Sequence, residues 1–501
     1  SKEARAQLGW IKVTHVCRLW RQLALAESRL WAHTSLALGD TWFAEMIRRA
    51  GPVPLHIDNH DLRLDGLLRL TTRQWLLIVE NLGQIKHLGV NAPTPLIMAL
   101  LTSLTRSAPL LEELVVNHFR DTTTDNHITL FSLPDEFLDS WNVPSLRRLY
   151  LHGYFSIDWT SPLLRNLESL TIALETRAQP TPSCDEVLSG LEQMPMLRLL
   201  YLLNLFPHHA SHAHSTHPER VVELKHLSYL KLNDSSYGCL AMLGHIRVPE
   251  SATVDIDVGH AELGPAPLDD LFHSLAATRS GMEAPGRSVS PFHSLTIHII
   301  DDDMVMIRAV GAYPDKDSEA GVSYQVNLSF SWPKSEDFSR RNLKDAVRAT
   351  CRAFCSVSLH TVTIHEVRQP APSIWQEDEW LAMLAGATAV RALTVVGAVG
   401  FSICIALAPS SDKMSLGLLL PALDFIHLSN ISFFAPDQAS LSNLALLRAA
   451  SGAPLKTMRL RKCTIPAVWE SELRAVPGLT FHATLRRQDA WGGHAAYVEA
   501  I

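Results

Sequence analysis

The chain has 501 residues, 47% of them hydrophobic and 19% charged, with a formal net charge of -7. That composition excludes a mostly disordered protein. An acidic balance, with pI near 6.4, excludes the basic surplus of a nucleic-acid binder. A chain of this length exceeds one compact core, so several domains or a repeat array are expected. Its seven cysteines include no C-x-x-C pair, Cys351 and Cys355 being four apart, which suits a reducing compartment with buried thiols.

At the N-terminal end, Trp10 to Trp31 places Val13, Val16, Cys17, Trp20, Leu23, Leu30 and Trp31 at helical spacings, with Arg18 and Arg21 opposite. The segment resembles the second half of an F-box, whose pattern runs V-C-(K/R)-x-W-(R/K)-x-(L/I)-A and then L-W. Val16, Cys17, Arg18, Trp20, Arg21, Leu23, Ala24, Leu30 and Trp31 fill those places. Trp42 to Ile57, WFAEMIRRAGPVPLHI, is similar to the segment that trails the F-box in many fungal F-box proteins.

The resemblance implies a plug for the Skp adaptor of an SCF, cullin-type ubiquitin ligase, held through Val13, Val16, Cys17, Trp20, Leu23, Leu30 and Trp31. It further implies a cytoplasmic or nuclear substrate receptor with no catalytic residue of its own, its target an unknown protein. The family's opening Leu-Pro-x-Glu helix has no match in the sequence given. An amphipathic two-helix element capping a larger domain is therefore the other reading. Residues 1–40 are assigned to the partial F-box and 41–84 to a linker or capping segment.

From Ile85 onward the phrase L-x-x-L-x-L recurs, with any aliphatic, Met or Phe at the marked places. It occurs as IKHLGV (from Ile85), LEELVV (Leu111), LRRLYL (Leu146), LESLTI (Leu167), LRLLYL (Leu197) and LSYLKL (Leu227). Later come FHSLTI (Phe292), VRALTV (Val390), LDFIHL (Leu423) and LKTMRL (Leu455), with weaker versions from Ser251, Ser323 and Leu359. The mean spacing is about 31 residues, within the range of solenoid repeats.

Alternate strand side chains face one side, so the last two marked residues of each phrase point inward. One such strand cannot bury its apolar side alone, and units must stack. Aliphatics at three- and four-residue spacing predict helices in PLIMALLTSLTRSAP, RRNLKDAVRATCRAF, EDEWLAMLAGAT and LSNLALLRAASGAP. The expected fold class is α/β: an irregular solenoid resembling leucine-rich repeats, residues 85–501, with a curved parallel sheet inside and helices outside. Leucine-rich repeats place Asn or Cys three residues past the final aliphatic. Only Cys463 fits, where other units have Phe119, Tyr154 or Ser235.

Loop insertions are expected near 204–222, 259–291 and 315–321. Ala392 to Ala408 is uncharged over 17 positions. It reads as a buried strand and a short buried helix rather than a membrane span, which needs about 20 apolar residues.

The sequence offers little catalytic chemistry. His208, His209, His212, His214 and His217 form a tract separated by small residues, read as a flexible loop rather than a built metal site. Asp301, Asp302 and Asp303 raise the question of Mg²⁺ or Ca²⁺, but Asp303 reads better as the cap of a helix beginning MVMIRAV. His365-Glu366 does not continue into H-E-x-x-H, and no nucleophile elbow or phosphate loop occurs. No cofactor, metal, membrane or nucleic-acid partner is expected.

What remains is the open side of the sheet, where Tyr and Arg are favoured interface anchors. Arg148, Tyr150, His152, Tyr201, Tyr229, Lys231, Phe425, His427, Arg459 and Arg461 are the expected target-binding residues.

Overall fold

The computed structural model describes residues 9–58, 71–92, 94–104, 108–118, 131–132, 143–153, 155–175, 182–206, 220–259, 265–280, 292–301, 303–315, 318–332, 336–355, 358–367, 375–408, 418–433, 441–486 and 497–499. The chain is α/β and forms two compact units, Ser1–Pro249 and Glu250–Ile501.

In the first unit the strands β1 (His33–Ser35), β2 (Leu55–Asp58), β3 (Ile85–Ala92), β4 (Glu113–His118), β5 (Arg148–Gly153), β6 (Ser169–Leu174), β7 (Leu199–Leu203) and β8 (Tyr229–Asp234) form one parallel sheet. Each strand pairs with the next in chain order. The register puts Leu88, Leu114, Leu149, Leu170, Leu200 and Leu230 in one row. All six are buried, each worth about 2 kcal/mol by transfer from water. Val90, Val116, Leu151, Ile172, Leu202 and Leu232 form a second row. These are the two inward positions of the repeated phrase, and their alignment across strands is what makes the phrase recur.

Two helices, α1 (Arg18–Ala26) and α2 (Ser28–Trp31), precede β1; α3 (Asp40–Ala50), α4 (Thr72–Glu80), α5 (Thr94–Leu104) and α6 (Cys184–Glu192) lie between strands, and α7 (Ser236–His245) follows β8. Capping boxes start two of them, Thr71 with Gln74 before α4 and Ser183 with Glu186 before α6. The segment 41–84, expected to be a linker or cap, carries β2 and pairs it between β1 and β3. The sheet therefore begins at His33, inside the stretch assigned to the partial F-box.

The second unit departs further from a uniform repeat. Its strand β9 (Thr253–Val258) lies parallel to β12 (Ser318–Ser331), which is antiparallel to β11 (Met304–Asp315), itself antiparallel to β10 (Phe292–Asp301). From β10 the parallel order resumes through β13 (Thr361–Glu366), β14 (Ala392–Val396), β15 (Phe425–Ser429), β16 (Thr457–Cys463) and β17 (Thr480–Arg486). An antiparallel strand, β18 (Tyr497–Glu499), follows β17. The helices here are α8 (Pro265–Ser280), α9 (Glu336–Phe354), α10 (Glu377–Leu384), α11 (Val399–Leu407), α12 (Leu441–Ala450) and α13 (Ala467–Ala475).

Three expectations are corrected in this unit. MVMIRAV is strand, not a helix capped by Asp303: Val305, Ile307 and Ala309 are buried while Met306 and Arg308 are exposed, a period of two. Asp301 pairs with Met304 where β10 meets the antiparallel β11. In the stretch 315–321, Asp315 ends β11 and pairs with Ser318 at the start of the antiparallel β12. The stretch 259–291 contains α8 rather than loop alone. By contrast, the uncharged run after Arg391 is β14 followed by the buried α11, and no helix among the described residues is long and apolar enough to cross a membrane.

A shared turn ends the strands. Gly153, Asn204, Gly397, Asn430 and Lys462 stand two residues past the last inward aliphatic, and all have positive φ, of 127°, 55°, 95°, 57° and 54°. Gly153 and Gly397 need the absence of a side chain, since a Cβ there would meet His118 and Glu366 of the preceding unit. Asn204 donates its side-chain amide to Leu174 O at 2.9 Å. At the same position Asp234 accepts from the Leu205 and Phe206 amides at 2.6 and 2.9 Å. Glu366 accepts from the Val399 amide at 2.6 Å, capping α11. Cys463 reaches back to Leu428 O at 3.4 Å. The loop-satisfying residue thus sits mostly one place earlier than in leucine-rich repeats; Phe119 and Tyr154 lie outside the described residues.

Candidate functional site

The first candidate surface is α1. Cys17 caps it, its sulfur accepting from the Trp20 amide at 3.5 Å, and Arg21 ties it back to Thr14 O at 2.9 Å. Ala24 is its one buried residue. Val16 (63%), Leu19 (60%), Trp20 (49%) and Leu23 (61%) are exposed. Leu19 and Trp20 stand four and three places before Leu23 and share one apolar side of α1 turned to solvent, while Val16 precedes the extended cap Cys17.

Among the expected adaptor residues, Val16, Cys17, Trp20, Leu23 and Leu30 are therefore open, and the side chain of Val13 lies outside the described residues. Trp31 is different. It is 3% exposed, its indole N–H donates to Ala24 O at 3.2 Å, and the Arg49 guanidinium lies 4.5 Å from its ring centre. Trp31 belongs to the core, where it holds α1 and α3 together. Leu19 completes that apolar side and was legible as four before Leu23.

The second surface is the open sheet face of the first unit. Parallel register aligns Glu113, Arg148, Ser169, Leu199 and Tyr229 in one row, and Val115, Tyr150, Thr171, Tyr201 and Lys231 in the next. His152 lies in a third, beside Asn117 and Ala173. Every expected residue of this unit is on that face.

The groups interact along the rows. Glu113 accepts from His87 Nδ1 at 3.2 Å and from Arg148 Nε at 2.7 Å. Those hydrogen bonds, His87 first, hold its carboxyl at about 2. The Lys231 ammonium stands 5.3 Å over the Tyr201 ring. Burial raises the Tyr150 phenol, with the neighbouring Tyr201 adding to it. At the start of the sheet His33 and His56 stack at 4.5 Å, and His56 stacks on His87 at 6.2 Å. Burial first, then electrostatic repulsion from His33, His87 and Lys86, lowers the His56 pKa.

The open face of the second unit carries the remaining expected residues, Phe425, His427, Arg459 and Arg461. Its middle row runs Thr296, Thr363, Thr394, His427, Arg459, His482. Next to it run His298, His365, Val396, Ser429, Arg461, Thr484. The His298 and His365 rings lie 4.8 Å apart.

No group of three or more His, Cys, Asp or Glu among the described residues is placed to hold a metal ion. The histidine tract 208–217 lies outside the described residues. The free thiols at Cys184 and Cys404 are buried, which pushes the first to about 12 and the second higher still; neither is a nucleophile at neutral pH. No family model matches the chain, and no curated protein matches it.

Proposed function

We propose that the protein is a non-catalytic substrate receptor of a cullin-type ubiquitin ligase, docking the Skp adaptor through α1 and holding a target protein on its sheet faces. The observation that carries this reading is the exposed apolar side of α1, where Leu19, Trp20 and Leu23 are left in water, with Val16 open just before the helix. Such a patch marks an interaction surface, and Val16, Trp20 and Leu23 are positions of the F-box resemblance. We read both units as stacks of strand–turn–helix repeats. Strands paired in chain order and the recurring positive-φ turn support a solenoid, with the meander β10–β12 as an insertion. A receptor of this kind acts by raising the local concentration of the target near an enzyme supplied by the complex.

A second reading is a repeat-based binding scaffold that does not engage the ubiquitin machinery. The burial of Trp31 between Ala24 and Arg49 favours it, since it makes the N-terminal helices a cap on the first strands.

Co-purification with the Skp adaptor separates the two. Leu23→Asp and Trp20→Ala change exposed residues and should leave the fold intact by circular dichroism. A complex that both variants abolish establishes the receptor; no complex with the unaltered chain rejects it. Trp31→Ala is a poor control, because it disturbs the core.

A further inference from the structure

Across β14 to β17 the polar groups on the open face of the second unit are hydroxyls, imidazoles and guanidinium groups, with no carboxylate among the described residues of these rows. Its rows are Ala392–Phe425–Thr457–Thr480, Thr394–His427–Arg459–His482 and Val396–Ser429–Arg461–Thr484. Arg459 and Arg461 are both exposed and make no side-chain hydrogen bond or ion pair among the described residues. They are two residues apart on one strand, hence on one side and about 7 Å from each other.

Acidic groups nearby are engaged elsewhere. Asp424 is held by Lys456 at 3.0 Å, Glu470 by Arg474 at 3.0 Å, and Glu366 caps α11. Glu499 stands in register with Thr484 on β18, two strands from Arg461. In the same cluster the Nε2 atom of His427 is buried with no hydrogen-bond partner. Burial first, then Arg459, Arg461 and His365, lowers the His427 pKa. Two exposed like charges beside an imidazole nitrogen that has no partner offer an anion its donors.

We propose that this part of the face binds a phosphate-class dianion, with Arg459 and Arg461 as its charge partners and His427, His482 and the Thr484 hydroxyl as further donors. A carboxylate brings one charge and two oxygens. A phosphate monoester brings close to two charges and three strong acceptors, which matches two guanidinium forks and two imidazoles. The proposal gives a chemistry to part of the target-binding face, and rests on that reading only for the source of the phosphate.

The test is an NMR titration of the whole chain with inorganic phosphate, reading the ring resonances of His427 assigned by their loss in His427→Asn. The expected result is a saturable shift and a raised His427 pKa. Arg459→Ala and Arg461→Ala should each weaken the apparent affinity about tenfold. Arg308→Ala removes an exposed guanidinium from the same face, beyond β10, β13, β14 and β15, and should leave affinity unchanged. Unaltered urea midpoints show that the variants fold.

A phosphoserine peptide that binds more tightly than both inorganic phosphate and its unphosphorylated form puts the phosphate on a protein partner. Equal affinity for phosphate and phosphopeptide puts it on a small molecule. An unmoved His427, or the same loss in all three arginine variants, overturns the proposal. These readouts do not involve α1, so they stand or fall apart from adaptor docking.

Discussion

Arg448 is fully buried in α12, an unusual place for a guanidinium. Its Nη1 donates to Leu419 O at 2.9 Å, and its Nη2 to Leu420 O at 2.7 Å and Leu423 O at 3.4 Å. These carbonyls belong to the turn that leads into β15, where Leu420 itself has φ 51°. Burial brings the guanidinium down to about 10, still cationic at neutral pH. Arg448→Met keeps most of the volume and removes every donor, leaving buried carbonyls unsatisfied. The expected loss is about 2–4 kcal/mol in urea unfolding. Arg448→Lys should recover less than half, because one ammonium does not span the fork. A loss below about 0.5 kcal/mol for Met would show that water replaces the arginine. Asn204 gives a second case: alanine there loses both the tolerance of φ 55° and the bond to Leu174 O. Asn204→Ala should cost about 1–2.5 kcal/mol and Asn204→Gly roughly half as much, because glycine keeps the backbone conformation. Equal losses would mean that the turn carries no strain.

At the scale of elements, the β11–β12 hairpin has a packing device of its own. Gly311 pairs with Tyr324, whose ring fills the space a Cβ would take and also meets Phe292 edge-on at 5.4 Å. Gly311→Ala must displace that ring, at an expected cost of about 1–3 kcal/mol; an unchanged urea midpoint would mean that the ring moves freely. The same hairpin marks the limit of what the sequence revealed. Strands were legible from Ile85 onward because each buries one side only, so Leu149 and Leu151 alternate with Tyr150 and His152. The helices were legible because α9 and α12 repeat their aliphatics every three or four residues. Met304 to Ile307 are four apolar residues in a row, so the period of two there shows only in burial, and the acidic run before it signals a helix cap as readily as a turn. The common turn was hidden for another reason: Gly, Asn and Lys take the positive φ there while Asp234 and Glu366 accept loop amides instead, and no single letter recurs. Nor does spacing separate Trp20 from Trp31. Both fit the motif, and only packing against Arg49 and Ala24 sends the second inside.

For the whole molecule, histidines set the response to acid. His56 and His118 in the first unit, and His298, His365 and His427 in the second, all have pKa values below the usual 6.5, with burial the largest cause in each. Electrostatic repulsion adds to it: from His33, His87 and Lys86 at His56, from His152 at His118, from His298 at His365, and from Arg459 and Arg461 at His427. Glu112 and Glu175 oppose the shift at His56 and His118. The folded chain thus refuses protons that the unfolded chain accepts. Their contribution is complete above about pH 6.5 and is lost as pH falls through the depressed values. Glu113, held at about 2, and Glu379, also lowered, have the same sign, but their contribution declines only below about pH 4.5. Acid should therefore weaken the fold in two stages. The urea midpoint should already be lower at about pH 5.5 than at about pH 7.5. The double variant His298→Asn, His365→Asn should flatten that early part for the second unit, because it removes two protons that only the unfolded state takes up. A midpoint constant down to about pH 4.5 would leave the carboxylates alone in control, and the stacked imidazoles on the open faces without a role in stability.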